Sequence, residues 1–444
     1  MVELRYYKGM IICEGELNQL NLPFVKNDER IDKSVAEGAK YKEIIDYVRN
    51  SEIPYQDNVL KLIPSPAHLE SEIQLRPYQQ KAMKAWIEHK RGIIIMPTGA
   101  GKTVVGLKIM ELINSATLIV VPTLDLLVQW KKEINHAFNI KAGEFSGNSK
   151  NLKGITVTTY DSAYLNAEYF GNKFRLVIFD EVHHLPSEGY RQIGEIFAIP
   201  YRVGLTATYE RDDELHSILP QIVGKVIYNI TVDDLAGKYL AKYKVERVSI
   251  EFTPEEKREY EKNRKIFKNF LISRNIQLRR ASDFQKIVMR SGRDPGARAA
   301  ILAHKKAEKI AFNSENKLKF LRNILNKDDR IIIFTKYNNM VYKISRTFFI
   351  PCITHKTKAE ERRRILNKFR EGEYTAIVSS RVLDEGIDVP EANIGIIVSG
   401  TGSSREYIQR LGRLLRPNPD KQAILYELIT KESTESNTAY RRKH

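Results

Sequence analysis

The 444-residue chain carries 72 Lys and Arg against 55 Asp and Glu, a formal excess of +17 at neutral pH. With 42% hydrophobic and 29% charged residues it is not a mostly disordered chain, and its length suits roughly two to four domains. No apolar run reaches the ~18 residues that a membrane-crossing helix needs, and Met1–Arg5 is followed by no signal-type apolar stretch. Cys13 and Cys352 lie far apart without metal-ligand spacing, which predicts a reducing compartment, the cytoplasm, and no zinc or iron–sulfur site. The basic excess points to a polyanion without choosing between nucleic acid and another anionic surface.

Residues 1–70 hold nine cations against 12 acids and read as a small α+β module. Met10–Cys13 predicts a strand. Ser34–Asn50 predicts a helix with Ser34 as N-cap and Ile44, Ile45 and Val48 on its apolar side. Pro64-Ser65-Pro66 is a stiff linker. From residue 73 short apolar runs alternate with helical segments: Gly92–Met96, Leu118–Val121, Ile155–Thr158, Leu176–Phe179 and Tyr201–Leu205. Such runs, buried on both faces and separated by helices, are what a parallel sheet requires. The pattern stops near Asn229 and resumes at Ile331–Phe334, Thr375–Ser379, Ile394–Val398 and Ala423–Leu428, a second α/β set.

Between the two sets, residues 237–310 read as mostly helical, with a Gly/Pro break at Ser291–Gly296. Residues 255–310 alone hold 16 cations against seven acids. Tyr260, Phe267, Phe270 and Phe284 lie among them. The i, i+3, i+4 spacing of Phe267, Phe270 and Leu271 predicts that most of these rings form a helical core, while the cations, with Arg279, Arg280 and Lys286 among them, are left for nucleic acid. Lys431–His444 is polar, without periodicity, and reads as a mobile tail. The expected boundaries are therefore 1–70, 73–236, 237–310 and 311–444.

The strongest local signal is Met96-Pro97-Thr98-Gly99-Ala100-Gly101-Lys102-Thr103, between a strand and the helix Thr103–Ile113. Gly99 and Gly101 let backbone N–H groups turn toward phosphate oxygens, and the helix N-terminus adds partial positive charge. Lys102 would reach the outer phosphates and Thr103 would ligate Mg²⁺. Met96 stands where the strict pattern asks for Gly. About 80 residues on, the strand Val177–Phe179 ends in Asp180-Glu181-Val182-His183-His184. Asp180 can hold Mg²⁺, and Glu181 can orient and deprotonate an attacking water. His183 and His184 have no further ligand at metal spacing and suit hydrogen-bonding or core roles. Far downstream, Gln409-Arg410-Leu411-Gly412-Arg413-Leu414-Leu415-Arg416 places three arginines in seven residues, able to neutralise charge on a transferring phosphoryl group.

In this order the motifs resemble those of superfamily 2 helicases and translocases over roughly residues 73–420. Leu75-Arg76-Pro77-Tyr78-Gln79 is similar to the adenine-reading element, with Gln79 as base contact and Arg76 beside it. Val121-Pro122-Thr123 and Thr158-Thr159-Tyr160 resemble strand-tracking elements. Gly204–Thr208 resembles the motif that couples nucleotide state to nucleic-acid grip, and Ile333-Phe334-Thr335 resembles the fourth motif. Val378–Pro390 resembles the fifth, implying Gly386 and Asp388 at the nucleotide and Ser379 and Ser380 near the strand. Gln409, Arg413 and Arg416 would approach the outer phosphate from the opposite wall of the cleft.

Within that superfamily the chain most resembles archaeal XPB, the helicase of nucleotide-excision repair. This rests on Asp-Glu-Val-His-His, on the small N-terminal module, on Arg211-Asp212-Asp213, similar to an Arg-Glu-Asp element with Asp212 in place of Glu, and on a basic insert at the position of a thumb-like domain. The resemblance implies two tandem RecA-like motor domains and ATP with Mg²⁺. It also implies 3′→5′ movement on single-stranded, duplex or forked DNA, a strand-wedging role for Arg211–Asp213, damage sensing by the N-terminal module, and a nuclease partner protein. A restriction-type or phage DNA translocase, or an RNA helicase, would use the same motor. A non-catalytic scaffold is disfavoured by the complete set Lys102, Asp180, Glu181, Arg413 and Arg416.

Overall fold

In the computed structural model the chain divides into two compact units, Met1–Leu235 and Ala236–His444. The structure describes residues 1–15, 24–29, 32–66, 68–147, 149–211, 213–240, 242–278, 281–380, 392–400 and 423–436.

The first unit opens with a five-stranded sheet of β1 (Val2–Tyr7), β2 (Met10–Gly15), β3 (Lys26–Asp28), β4 (Lys33–Glu37) and β5 (Tyr55–Asn58), in the order β3-β4-β2-β1-β5. Alternation sets the faces of β1. Val2 and Leu4 point into the core, while Glu3 and Arg5 pair outside it at 2.7 Å. The helix Tyr41–Asn50 covers the inner face with Tyr41, Ile44, Ile45 and Val48. It begins seven residues later than the sequence suggests. Ser34 does not cap it, because Lys33–Glu37 pairs antiparallel with β2, Glu37 opposite Met10 and Ser34 opposite Cys13. A ladder of backbone hydrogen bonds outweighs one side-chain cap.

This module is seated on the body of the first unit. Gly38 donates its N–H to the Gly9 carbonyl, and a methyl group on Gly38 would lie 2.1 Å from the Ile196 carbonyl oxygen. Arg91 reaches across to Glu43 Oε2 at 2.9 Å and to the Ala39 carbonyl. Ala198, from the body, is part of the module's apolar core. The linker follows the same surface, since Lys61 and Ile63 donate to the carbonyls of Asn172 and Lys173 ahead of Pro64.

The body is an eight-stranded sheet of β6 (Arg91–Ile95), β7 (Thr117–Val121), β8 (Gly143–Ser146), β9 (Ser149–Asn151), β10 (Ile155–Thr159), β11 (Leu176–Asp180), β12 (Tyr201–Thr206) and β13 (Val226–Asn229). The order is β13-β6-β12-β11-β7-β10-β8-β9, parallel except for β8 against β9. The five expected apolar runs are its central strands; β8 and β9 are short and polar, and β13 is a four-residue strand at the sheet's edge, so none of the three stands out in the sequence. Arg202, on β12, is fully buried. Its guanidinium donates to the carbonyls of Gly194, Phe197, Ile199 and Ile222, joining the surrounding chain turns to the sheet.

The second unit contains a six-stranded parallel sheet of β14 (Tyr243–Ile250), β15 (Ile331–Phe334), β16 (Cys352–Ile353), β17 (Ala376–Ser379), β18 (Ile394–Ile397) and β19 (Ala423–Thr430), ordered β14-β19-β18-β15-β17-β16. The strand β14 corrects the mostly helical reading of residues 237–310. As an edge strand it carries Lys244, Glu246 and Arg247 without a continuous apolar run. The rest of that segment is helical: Pro254–Ser273, Ala281–Arg290 and Pro295–Phe312. Thr253 caps the first helix in a capping box with Glu256, and Asp294 caps the third ahead of Pro295, where the Gly/Pro break was read. Tyr260 and Phe267 are buried, and Phe267 stacks on His304 with ring centroids 4.5 Å apart, so these aromatics form a core. The tail also differs from expectation over its first residues. Glu435 is fully buried and pairs with buried Lys317 at 2.7 Å, so the chain as far as Ser436 is anchored.

Gly38→Ala is expected to destabilise the first unit by about 1–3 kcal/mol through overpacking, read as a lowered denaturation midpoint. An unchanged midpoint would show that the module is not seated through Gly38.

Candidate active site

Three neighbouring strands, β6, β12 and β11, end side by side and carry the phosphate loop, Thr206 and Asp180. After β6 the loop Met96–Gly101 leads into the helix Lys102–Ile113. Gly99 and Gly101 take φ of +83° and +79°, the left-handed region in which a side chain is strained. Here the backbone turns sharply into the helix N-terminus, the Ala100 N–H closing the turn on the Pro97 carbonyl, with Thr98 between them and Thr103 in the first helical turn.

The back of this loop is held from the helix Pro77–His89. Gln79 is buried, donates Nε2–H to the Ala100 carbonyl at 3.0 Å and accepts from the Arg76 N–H at 2.9 Å. Tyr78 Oη donates to the same Ala100 carbonyl at 2.9 Å. A methyl group on Gly101 would lie 2.4 Å from Gln79 Nε2. Gln79 and Arg76 therefore sit against the loop as expected, but the Gln79 amide braces the loop and has no free edge turned outward.

Lys102 Nζ lies 3.6 Å from Glu181 Oε1 and 3.4 Å from the Met96 carbonyl. Asp180, at the end of β11, is buried; its Oδ2 accepts from Trp130 Nε1 at 2.8 Å and its Oδ1 from the Glu181 N–H at 3.0 Å. Burial, and next the neighbouring Glu181 carboxylate, raise its pKa to about 6, against the lowering effects of Trp130 and Lys102. Glu181 takes φ of +48°, a strained conformation that turns the chain sharply after the strand. Thr206 Oγ1 donates to the Thr208 carbonyl at 2.6 Å, so buried His183 is the donor in the 3.0 Å contact between its Nδ1 and Thr206. That Nδ1–H also faces Glu181 Oε2 at 3.5 Å. His183 thus has a hydrogen-bonding role beside the Glu181 carboxylate.

The donor set fits ATP with Mg²⁺. One buried carboxylate and one hydroxyl suit a small hard cation that keeps several waters, and the helix N-terminus with Lys102 suits phosphate oxygens. Sequence reasoning missed Trp130, whose indole holds Asp180. It lies on the buried face of the helix Leu124–Phe138, and Gly106 leaves room for it, since a methyl there would reach within 2.7 Å of the ring. The signal was present, as one of only two tryptophans, but nothing local tied it to Asp180.

Known proteins resemble this chain over its whole length. Residues 4–59 match the Xeroderma pigmentosum group B helicase damage recognition domain, residues 72–211 the Type III restriction enzyme res subunit, and residues 316–418 the helicase conserved C-terminal domain. The DNA 3′-5′ translocase XPB2 of Sulfurisphaera tokodaii is 48% identical over 445 residues, covering 100% of both chains. The chain belongs to the XPB helicase family. The DNA 3′-5′ helicase XPB of Mycobacterium tuberculosis is 28% identical over 83% of this chain and 63% of its own. The Pyrococcus furiosus Hef helicase domain shares the fold, with a TM-score of 0.56 at 18% identity over 84% of this chain and 98% of that one.

For an XPB-family chain the expected nucleic-acid residues are only partly presented. Pro122 and Thr123 follow β7, and Thr159 ends β10, strands paired in register, so both lie on the edge that carries the phosphate loop. Their hydroxyls are committed: Thr123 caps the helix Leu124–Phe138 through the Leu126 N–H, and buried Thr159 caps the next through the Ser162 N–H. Ser379 is likewise buried and donates to the Ile353 carbonyl at 3.1 Å, which corrects its expected place at the strand; Ser380, beside it, is also buried.

Arg211 differs from the wedge reading as well. Its guanidinium binds Asp213 in a two-point pair, at 2.9 and 2.6 Å, and the His183 carbonyl, so it fastens this loop to the turn after Asp180. That pairing holds the Asp213 carboxyl down at about 2. Lys286 is exposed and 3.3 Å from Asp283. Asp212, Arg279, Arg280, Gly386, Asp388, Gln409, Arg413 and Arg416 lie outside the described residues.

A carboxyl whose folded pKa is raised favours the fold while protonated, and that contribution is lost as pH rises through about 6. At neutral pH the ionised Asp180 therefore opposes folding. Asp180→Asn is expected to abolish ATP hydrolysis yet stabilise the fold by roughly 1–3 kcal/mol, seen as a higher melting temperature at pH 8 than wild type and a smaller difference at pH 5. A lower melting temperature at both would contradict this.

Proposed function

We propose that the chain is an ATP-driven DNA 3′→5′ helicase or translocase that opens or remodels duplex DNA in nucleotide-excision repair. The observation that carries this is the full-length identity to a relative named as a DNA 3′-5′ translocase, joined to a complete phosphate-loop and Asp-Glu site. The family name alone would also fit a chain whose motor had decayed, and the site geometry argues against that.

The bound Mg²⁺ would supply charge neutralisation on the phosphate oxygens, held through Asp180 and Thr103. Lys102, within reach of Glu181, offers its ammonium to the outer phosphates. Glu181 orients the attacking water and accepts its proton at a carboxylate oxygen, while His183 and Thr206 fix that carboxylate's surroundings. Gly386 and Asp388, through the fifth motif, and Gln409, Arg413 and Arg416, through the arginine run, are assigned to the nucleotide, and Arg76 with Gln79 to the adenine side of the loop. Residues 1–70 form the damage-recognition-like module and 73–236 the first motor domain, while the second motor domain takes in β14 as well as the chain after Phe312, leaving the helices between Pro254 and Phe312 as the basic insert. A nuclease partner protein would cut the DNA that the motor opens. Among the described residues no helix is long and apolar enough to cross a membrane.

ATPase measured side by side with single-stranded DNA, duplex, forked DNA and RNA is expected to show stimulation by DNA above that by RNA. Lys102→Ala and Glu181→Gln should each reduce it by at least about a hundredfold, with Glu181→Gln still binding ATP. Greater stimulation by RNA would favour the RNA-helicase reading, and normal turnover in either variant would remove the site assignment.

A further inference from the structure

Within the second unit, the first helix of the basic insert, Pro254–Ser273, packs beside the segment that leaves β19, residues 431–436. Between them lies a cavity of about 420 Å³ lined by Tyr260, Glu261, Arg264, Lys265, Lys268 and Glu432–Thr434. Positions 260, 261, 264, 265 and 268 recur at helical spacing, so one face of the helix supplies that whole wall. The opposite wall is fixed. Thr434 donates its N–H to Tyr260 Oη at 2.9 Å, and next to it Glu435 is held by buried Lys317.

The charges in this cavity are unbalanced. Glu432 is engaged by Lys257 at 2.9 Å. Arg264, Lys265 and Lys268 form no ion pair with an acid among the described residues, and Glu261 is the other acid on the wall. Some other cations of the insert do have an acid partner: Lys306 with Glu259, Arg274 with Asp294 and Lys286 with Asp283. Unpaired cations gathered along one wall of a cavity are the chemistry of a phosphate site. Arg264 and Lys268 are four residues apart, roughly 6 Å along a helix axis, a distance comparable with about two phosphates at ~3.4 Å of axis each along one strand. A polyanionic strand matches that row, whereas a single small anion would engage one end of it.

We infer that this cavity is a DNA-backbone site: Arg264, Lys265 and Lys268 hold consecutive phosphates of the translocated DNA. The inference rests on the DNA-motor reading and adds a place to it. The grip is at the root of the insert, against the chain that leaves the last strand, and is separate from Arg279, Arg280 and Lys286.

The test is the full chain carrying Arg264→Glu and Lys268→Glu, beside a charge-matched control, Lys319→Glu with Lys327→Glu, both exposed positions on the same unit. Binding of a fluorescent single strand and of a duplex is followed through a salt titration. The expected result is affinity lower by about tenfold or more than in the control, and a slope of log affinity against log salt smaller by about 1.5–2, as loss of two phosphate contacts requires. DNA-free ATPase should be unchanged. The milder pair Arg264→Gln with Lys268→Gln, expected to shift the slope in the same direction, decides the matter if the reversed pair melts below wild type. Affinity and slope equal to the control's would overturn the site. So would intact DNA binding with loss only of inorganic-phosphate binding, followed calorimetrically. A wild-type chain without DNA binding or DNA-stimulated ATPase would instead overturn the underlying functional reading.

Discussion

Two carboxylates at the end of β11 and one ammonium after β6 meet across the end of β12, and this buried charge cluster is the constraint around which the first unit is arranged. Asp180 is almost without solvent, where an ionised carboxylate is disfavoured, and Glu181 repels it further. The group is held by an indole N–H from Trp130, a backbone N–H from Glu181 and the nearby Lys102. Each of those partners imposes a demand on the fold. Trp130 requires a small residue at Gly106, Glu181 requires a left-handed backbone, and Lys102 requires the positive-φ loop that precedes it. A stability-optimised protein would not assemble such a cluster, which is why its presence argues for use.

The same edge of the sheet brings the phosphate loop and the segments expected to meet nucleic acid onto one surface. Parallel strands all end on one side, so the loops after β6, β7, β10, β11 and β12 open there together. Thr206 and His183 connect the ends of β12 and β11, and Arg211 carries that connection into the following loop by gripping the His183 carbonyl. A change at the carboxylates thus has a continuous hydrogen-bonded route to the segment beyond Thr208. The N-terminal module rides on this body through Gly38, Arg91 and Ala198. It is acidic-leaning, so any DNA preference it carries must come from shape or from specific contacts, not from bulk charge.

The sequence was most legible where one local feature decides the structure. Strands buried on both faces appear as unbroken apolar runs, and β6, β7, β10, β11, β12, β15, β17, β18 and β19 were placed within about two residues on that basis. The phosphate loop was equally plain, because its glycines, lysine and flanking elements lie within a few residues of one another. Legibility failed where a distant partner decides. Ser34 looks like a cap until β2 pairs with it. The charged edge strand β14 needs β19, some 180 residues away, to make it a strand. Glu435 looks like tail until Lys317 is found beneath it. The hydroxyls of Thr123, Thr159 and Ser379 looked available to a strand of DNA, and only the fold shows them committed to caps and carbonyls.

The hydrogen bond from Trp130 to Asp180 offers a direct report on the central cluster, because the indole senses the charge state of its acceptor. In a Trp86→Phe chain, Trp130 is the remaining tryptophan, and its emission can be followed while Mg²⁺ and ATP are added together. A saturable change in emission is expected, one that needs both additions and disappears when Asp180 is replaced by Asn. Full ATP turnover with no change in Trp130 emission, or the same change in the Asp180→Asn chain, would contradict the account.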